Sequence, residues 1–431
     1  MAIASRTMQA FKKTGLLLER FCPLTLVEIR TASHLSGDSS RSFKFADIRV
    51  QLEDKLQQKP DISTLKFGNH FSDHMFEVAW SEAKGWGTPR IVPFHNFQLH
   101  PAAKVLHYAS ELFEGMKAYT GVDHKIRLFR PDLNMARMLN TSKRLALPEF
   151  DGKELTRCIA KLIDVDREWV PQNTNSSLYI RPTLIGTEPT LGVAKSSEAL
   201  LYVIVGPVGP YFPSGFKPIS LLADPKFVRS WPGGAGAYKM GSNYAPTIHV
   251  AKEAAKQGCQ QVLWLFGDKH YLTEVGTMNI FVYWINEKGE KELLTPPLDG
   301  LILPGVTRQS ILDLTQTWSD LKAVERSISM KDILKAKHEN RLLEIFGAGT
   351  ACVVCPVSRI LYEGKNVDLP QPGSRNSVTQ RIHDELLDIQ YGRTKNHPWA
   401  VEIDAILGKT PEHHHNLHDE AVPMKKRAMK Q

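Results

Sequence analysis

Arg229-Ser-Trp-Pro-Gly-Gly-Ala-Gly-Ala-Tyr-Lys239-Met-Gly-Ser-Asn-Tyr244-Ala-Pro246 sets four glycines and two prolines around a single lysine. Glycine opens backbone angles closed to other residues and lets the chain approach a ligand closely. A lysine held in such a loop loses hydration, and a desolvated amine has a lowered pKa. That is the condition under which lysine forms a Schiff base with a carbonyl. Tyr244, five residues on, adds a phenol. A nucleotide phosphate loop fits poorly, because Met240 stands where that motif needs Ser or Thr. An ordinary solvated lysine is the stronger competitor, since loops normally lie on the surface. The loop alone does not decide between the two; residues elsewhere in the chain must.

The chain has 431 residues, 42% of them hydrophobic, enough for two or three domains and a sizeable core. No apolar run approaches the roughly 20 residues of a membrane span. The net charge is +8, but the basic residues are scattered and carry no interleaved aromatics, so a nucleic-acid partner is not expected. The excess suits small anionic substrates. Five cysteines (Cys22, Cys158, Cys259, Cys352 and Cys355) at irregular spacing do not make a disulfide framework, and a reducing compartment is expected. No zinc site is expected, because Cys352-Val-Val-Cys355 has no second pair to complete four ligands.

Residues 1–30 mix Arg6, Lys12, Lys13, Arg20 and Arg30 with short apolar runs and read as a mitochondrial transit peptide. Residues 31–64 read as linker and N-terminal extension, with order starting near Leu65. Residues 65–205 form a small α+β domain. It contains a helix from Tyr108 closed by Gly115, a helix opened by Pro131, an amphipathic helix at 153–170, and strands at Leu178–Thr183 and Ala199–Val205. The last strand is apolar throughout and is expected to be buried on both faces. The Pro/Gly-rich segment 206–216 is the interdomain connector. Residues 217–403 form a large domain carrying Lys239, with mixed strands and helices near 245–257, 306–318 and 376–390. Residues 404–431, with His413, His414 and His415 and a basic end, read as a solvated tail.

Seven motifs in order carry a resemblance: Leu112-Phe-Glu-Gly-Met-Lys117, Leu128-Phe-Arg-Pro-Asp-Leu-Asn-Met-Ala-Arg137, Leu178-Tyr-Ile-Arg-Pro-Thr183, the Lys239 loop, Leu272-Thr-Glu274-Val-Gly-Thr277-Met-Asn279, Leu303-Pro-Gly-Val306-Thr307-Arg308 and Gly349-Thr350-Ala351-Cys352-Val-Val-Cys355-Pro356. The chain resembles the branched-chain amino acid aminotransferases, pyridoxal-phosphate enzymes of fold type IV, from about Phe67 to Trp399. It is nearest the animal enzymes, and slightly nearer the mitochondrial form. The resemblance implies an α+β fold of two domains with mixed sheets. It also implies a reversible ping-pong exchange of the amino group between leucine, isoleucine or valine and 2-oxoglutarate. A D-amino acid aminotransferase or aminodeoxychorismate lyase of the same fold is the alternative enzyme, and a non-catalytic redox-sensing protein the alternative from another class.

By the same resemblance, pyridoxal 5'-phosphate is held on Lys239. Glu274 pairs with its ring nitrogen, Tyr244 with its phenolate oxygen, and Arg137, Val306, Thr307 and Thr350 with its phosphate; Thr277 belongs to the same cofactor-binding set. The substrate meets the Thr350-Ala351 turn with Tyr108 through its carboxylate, and Phe67, Phe113, Tyr179 and Val193 through its side chain. Val193 is implied to reach the partner subunit's pocket, making a homodimer in the mitochondrial matrix, with the cytoplasm as the alternative. Cys352 and Cys355 are implied to act as a peroxide-sensitive pair. The chain departs from the human-type pattern at Ala235-Gly-Ala-Tyr238, where Thr-Gly-Asp-Cys is usual. No residue emerges for the side-chain carboxylate of glutamate.

Overall fold

The computed structural model describes residues 42–209, 216–371, 373 and 377–409. The expected transit segment 1–30, positions 210–215 of the expected connector and the expected tail beyond residue 409 lie outside the described residues. Two mixed sheets make the frame. The first contains β1 (Arg49–Val50), β2 (His74–Ser81), β3 (Gly85–Trp86), β4 (Arg90–Pro93), β5 (Glu111–Phe113), β6 (Met116–Thr120), β7 (Ile126–Phe129), β8 (Ser177–Gly186) and β9 (Glu198–Val208). The second contains β10 (Ile219–Ala223), β11 (Gln261–Phe266), β12 (Tyr271–Val275), β13 (Met278–Ile285), β14 (Lys291–Thr295), β15 (Lys322–Glu325), β16 (Leu342–Gly349), β17 (Val353–Tyr362) and β18 (Lys365–Asp368). A last strand, β19 (Ala400–Glu402), returns to the first sheet.

The first sheet runs β1-β4-β2-β9-β8-β6-β7-β19, with β3 on β2 and β5 on β8. The second runs β12-β11-β10-β17-β16-β13-β14-β15, with β18 on β17. The helices are α1 (Lys104–Tyr108), α2 (Pro131–Arg144), α3 (Gly152–Val165), α4 (Thr247–Lys256), α5 (Val306–Thr315), α6 (Met330–His338), α7 (Val378–Gln390) and α8 (Ile403–Ile406). Pro131 stands at the start of α2, where its missing N–H costs nothing. Asp151 caps α3 by accepting from the N–H groups of Lys153 and Glu154.

Helices α2 and α3 bury Met135, Met138, Leu155, Ile159 and Leu162 against Val78, Leu128, Leu178 and Val203 of the first sheet. Helix α6 buries Met330, Ile333 and Ala336 against the second sheet. A third core combines α5 and α7 with Phe281 and Phe346 of the second sheet and Tyr119 and Phe129 of the first. Apolar side chains from both sheets share this core, so its polar margin is held in a fixed place.

Four expectations change. Order begins well before Leu65: Phe43 is 4% exposed within the first core and Arg49–Val50 pairs with β4. The predicted helix from Tyr108 to Gly115 is instead the end of α1 followed by the strand β5, and the strand expected after Gly115 is β6. Ala109 turns left-handed at φ 48°, and Leu112 then pairs with Leu184 of β8. Strand β9 is not buried on both faces; Leu200, Tyr202 and Ile204 are half-buried while their neighbours are buried. The C-terminal boundary also moves, because α8 buries Ile403 and β19 adds to the first sheet, not the second.

Candidate active site

The glycine-rich loop delivers Lys239 to the junction of the two sheets. The Lys239 N–H donates to Thr141 Oγ1 of α2 at 3.1 Å, and the Lys239 carbonyl accepts from the Phe113 N–H of β5 at 3.1 Å. The lysine backbone is therefore pinned by the first sheet although its chain belongs to the second half. Gly236 has to be glycine: a Cβ there would stand 2.5 Å from the Leu301 carbonyl. The unusual Ala235–Tyr238 segment is held by Asn243, whose amide donates to the Ala235 and Tyr238 carbonyls at 2.7 and 2.8 Å. The Tyr238 ring lies 5.6 Å from the Arg144 guanidinium. Lys239 Nζ reaches the Tyr244 hydroxyl at 3.2 Å and stands 4.8 Å above the Phe113 ring.

Glu274, on β12, is 2% exposed. One of its oxygens pairs with Arg229 Nε at 3.0 Å; the other accepts from the Leu303 N–H at 2.9 Å and from Asn279 Nδ2 at 3.3 Å. Burial raises its pKa, and the Arg229 charge is the largest influence pulling it back, followed by the Leu303 N–H and the charges of Lys239 and Arg137. A carboxylate offers about four lone-pair sites, so the three donors leave room for one more N–H. Arg229 opens the quoted loop, yet nothing in the sequence marks it as the partner of Glu274.

Arg137, on α2, is buried and faces Glu114, which is fully buried. Its Nε and Nη2 bind the two Glu114 oxygens at 2.7 and 2.8 Å, and its Nη1 donates to the Pro304 carbonyl at 3.1 Å. Asn134 Nδ2 also donates to Glu114 at 2.8 Å. The side of the guanidinium expected to fork onto a phosphate is thus occupied by a carboxylate. Two of the five N–H groups remain. A capped, neutralised arginine can still direct those two at an anion, with its orientation fixed in advance.

Val306 and Thr307 open α5 after Gly305, and no side chain caps that helix end. Its first N–H groups and the positive end of its dipole suit an anion. Thr350 lies in the turn between β16 and β17 and shares a small cavity wall with Val306 and Thr307. An aromatic wall stands beside this cup. Phe67 and Tyr179 meet edge to face at 4.7 Å, and Phe113 and Tyr244 lie 4.9 Å apart. Gly115 lets the ring come this close: a Cβ there would fall 2.2 Å from the Tyr179 hydroxyl, and the ring would have to shift. Into this wall β8 sets Arg181, with its guanidinium 4.7 Å from the Phe113 ring and Nη2 3.2 Å from the Tyr179 hydroxyl. Its Nε is buried and has no hydrogen-bond partner among the described residues. Sequence reading passed over Arg181, although it sits two residues after Tyr179 in a motif already singled out.

Five expected residues are not brought into this cluster within one chain. Thr277 is exposed at the tip between β12 and β13. The Tyr108 hydroxyl donates to the Leu191 carbonyl, in the loop that carries Val193. Val193 is 84% exposed and Leu191 is 64% exposed. Cys355 is buried in β17, while Cys352 lies in the adjoining turn with its sulfur 3.1 Å from Met278 Sδ. Burial pushes the Cys352 thiol up to about 12 despite nearby Lys117, and pushes Cys355 higher. Among the described residues no cluster of His, Cys, Asp and Glu could hold a metal ion.

Residues 111–360 match the family model described as amino-transferase class IV. The chain is 57% identical to the cytosolic branched-chain-amino-acid aminotransferase of Rattus norvegicus, over 84% of this chain and 88% of that protein. It is 55% identical to the mitochondrial enzyme of Bos taurus, over 85% of this chain and 93% of that one. The fold matches the crystal structure of the branched-chain amino acid aminotransferase of Thermobaculum terrenum in its PLP form, with TM-score 0.62 and 16% identity over 78% of this chain and 99% of that one. Arg137, Lys239, Tyr244 and Glu274 all fall within the segment that the family model matches, and the chain belongs to the branched-chain-amino-acid aminotransferases of the class IV aminotransferase family.

Proposed function

We propose that this chain exchanges the amino group of L-leucine, L-isoleucine or L-valine with 2-oxoglutarate, using pyridoxal 5'-phosphate held on Lys239. One observation carries the reading. Lys239 Nζ stands 3.2 Å from the Tyr244 hydroxyl, in the electrostatic range of the buried Glu274 and of Glu114, the carboxylate that caps Arg137. When bound, the cofactor supplies an aldehyde for the amino group and a ring that accepts electrons from the substrate Cα. Glu274 keeps a proton on the ring nitrogen, using the lone pair that Arg229, Leu303 and Asn279 leave free. Tyr244 donates to the phenolate oxygen and polarises the Lys239 amine. Lys239 Nζ would hold the aldehyde group and, as a free amine, would take the proton from the substrate Cα and return it. The N–H groups of Val306 and Thr307, the Thr350 hydroxyl and the remaining N–H groups of Arg137 would receive the phosphate.

The Thr350-Ala351 turn takes the substrate carboxylate. Phe67, Phe113 and Tyr179 take the branched side chain, and Arg181 in the same wall takes the second carboxylate of 2-oxoglutarate or glutamate. A cation stacked on aromatic rings accepts either an apolar group or a carboxylate at one place. The exposed loop of Leu191 and Val193, tied to Tyr108, fits a second copy of the chain, whose pocket it completes in a homodimer. The two sheets correspond to two domains joined through 206–216. Relatives carry both mitochondrial and cytosolic names; the composition of residues 1–30 favours the matrix, and an N-terminal sequence of the protein from tissue starting at Met1 would refute import.

Purified protein should be yellow, should be fixed by borohydride on Lys239, and should turn over L-leucine with 2-oxoglutarate. Lys239→Ala should lose transamination and stay folded, because its backbone bonds to Thr141 and Phe113 persist. Colourless protein, or faster turnover of D-alanine than of L-leucine, would overturn the assignment.

A further inference from the structure

Lys117, on β6, is 7% exposed, and its Nζ donates to the Ala351 carbonyl at 2.9 Å. It forms no ion pair with any described residue. An ammonium buried without a carboxylate is costly, and a methionine would fill the same volume without that cost. The side chain lines a cavity of about 10 Å³ together with Asn134 of α2, Thr307 of α5, Thr350 of the turn and Gln390 of α7. Gln390 is 4% exposed, and its Oε1 is buried with no hydrogen-bond partner among the described residues. A space of roughly 10–15 Å³ with two or more polar neighbours holds one water. The same cavity wall therefore carries an unpaired cation, an unsatisfied acceptor and the two threonines assigned to the phosphate.

We propose that Lys117, with one water bound on Gln390, forms the floor of the phosphate cup. It acts as a positioning residue that ties the Thr350-Ala351 turn against the N-terminus of α5 and sets a positive charge behind the anion. The inference rests on the reading of the cup given above. It also explains why the charge is tolerated: the anion arrives with the cofactor. Burial lowers the Lys117 pKa to about 8, and the one charge interaction resolved for it is with Cys352. The ionisable groups around it are Tyr119 on its own strand, Tyr179 opposite on β8 and Cys352 in the turn. Tyr119 is held well above 10, and the Cys352 thiol stays neutral up to about 12. The charge behind the cup is present below pH 8 and is lost as pH rises through it.

The experiment compares two probes on full-length protein stripped of cofactor: pyridoxal 5'-phosphate and pyridoxal, which lacks the phosphate. Dissociation constants come from quenching of tryptophan fluorescence. Lys117→Met should weaken pyridoxal 5'-phosphate about tenfold, the scale of a charged hydrogen bond, and leave pyridoxal within about twofold. Gln390→Leu should weaken the phosphorylated probe about threefold, as for a neutral bond. In the wild type the affinity ratio of the two probes should fall between pH 7 and pH 9.5, and in Lys117→Met it should be flat. Equal losses for both probes in Lys117→Met, or a wild-type ratio independent of pH, would overturn the proposal. Should Lys117→Met fail to fold, Gln390→Leu and the wild-type pH profile decide. Wild-type protein that binds pyridoxal 5'-phosphate, with variants that bind it equally well, overturns only this inference. Wild-type protein that does not bind it overturns the functional reading beneath.

Discussion

Replacing Arg229 with methionine should disable Glu274 without moving it. The two side chains are 4% and 3% exposed and meet at 3.0 Å. At the effective dielectric of about 20 that suits buried pairs, this separation corresponds to about 5 kcal/mol of attraction. Breaking a buried pair typically costs about 3–5 kcal/mol, because one charge is left alone. Glu274 has an outlet that limits the damage: it can take up a proton. Its pKa already stands above the ordinary value through burial, with Arg229 the leading influence holding it down. Without Arg229 the carboxyl is pushed further up, so more of it is neutral and it keeps a proton on the ring nitrogen less well. The bonds from Leu303 and Asn279 keep it in place, so substrate binding should change little. A loss of about 3 kcal/mol of transition-state stabilisation is roughly a hundredfold in kcat. The measurement is kcat for L-leucine at saturating 2-oxoglutarate from pH 6 to pH 9, with circular dichroism to confirm folding. The raised pKa fixes the sign: residual activity of the variant should climb with pH as Glu274 ionises, while the wild type stays flatter. A folded, cofactor-loaded Arg229→Met enzyme with kcat within about threefold of wild type would refute the role given to this pair.

Arg181→Met should raise KM for 2-oxoglutarate about tenfold and leave KM for leucine within about twofold, the loss of one charged contact; equal effects on both substrates would refute its role. The Cys352 thiol, pushed up to about 12, should react slowly with iodoacetamide at pH 7 and faster as pH rises. Peroxide should then inactivate only slowly, and rapid labelling at pH 7 would show that the thiolate is available for a switch. Lys117 has a folded pKa of about 8 against an ordinary 10.5, so the unfolded chain binds more protons between those values. Cofactor-free wild type should therefore gain stability relative to Lys117→Met as pH rises through that window, by on the order of 3 kcal/mol in chemical unfolding. A difference between the two proteins that does not change with pH would mean that Lys117 is not desolvated as described.

Elements with a local signal were legible in the sequence. Pro131 announced α2, the spacing of Leu155, Ile159 and Leu162 announced α3, and the glycines around Lys239 announced a loop that approaches other backbone closely. Helix α6 also carried a signal that was passed over: Ser329 and Asp332 form a capping box just before Ile333. Strand β5 carried none. Its three residues are held by pairing with β8, some seventy positions later, and helical spacing around Leu112 and Phe113 is an accident of composition.

The site divides along the same line. Residues that meet the cofactor lie in short motifs, because each motif delivers one side chain from one element end. Several of the residues that hold those side chains lie outside the motif of the group they hold. Arg137 meets Glu114 across 23 positions, and Lys117 meets Ala351 across 234. The second pairing is a consequence of two sheets sharing a core built from Tyr119, Phe129, Phe281 and Phe346. The same core explains the division of labour. The first sheet supplies Arg137, Arg181, Lys117 and the aromatic wall, and the second supplies Lys239, Glu274 and the helix end at Val306. Neither half holds a complete anion cup, so loosening the shared core should cost cofactor affinity before it costs the fold of either sheet. A Phe346→Ala change removes one ring of a stacked pair 5.2 Å from Phe281 and opens a cavity there, at roughly 3–5 kcal/mol. Titration with pyridoxal 5'-phosphate against denaturant should then show the affinity falling at concentrations where circular dichroism is still native. Simultaneous loss of both signals would mean that the cup does not depend on the core in this way.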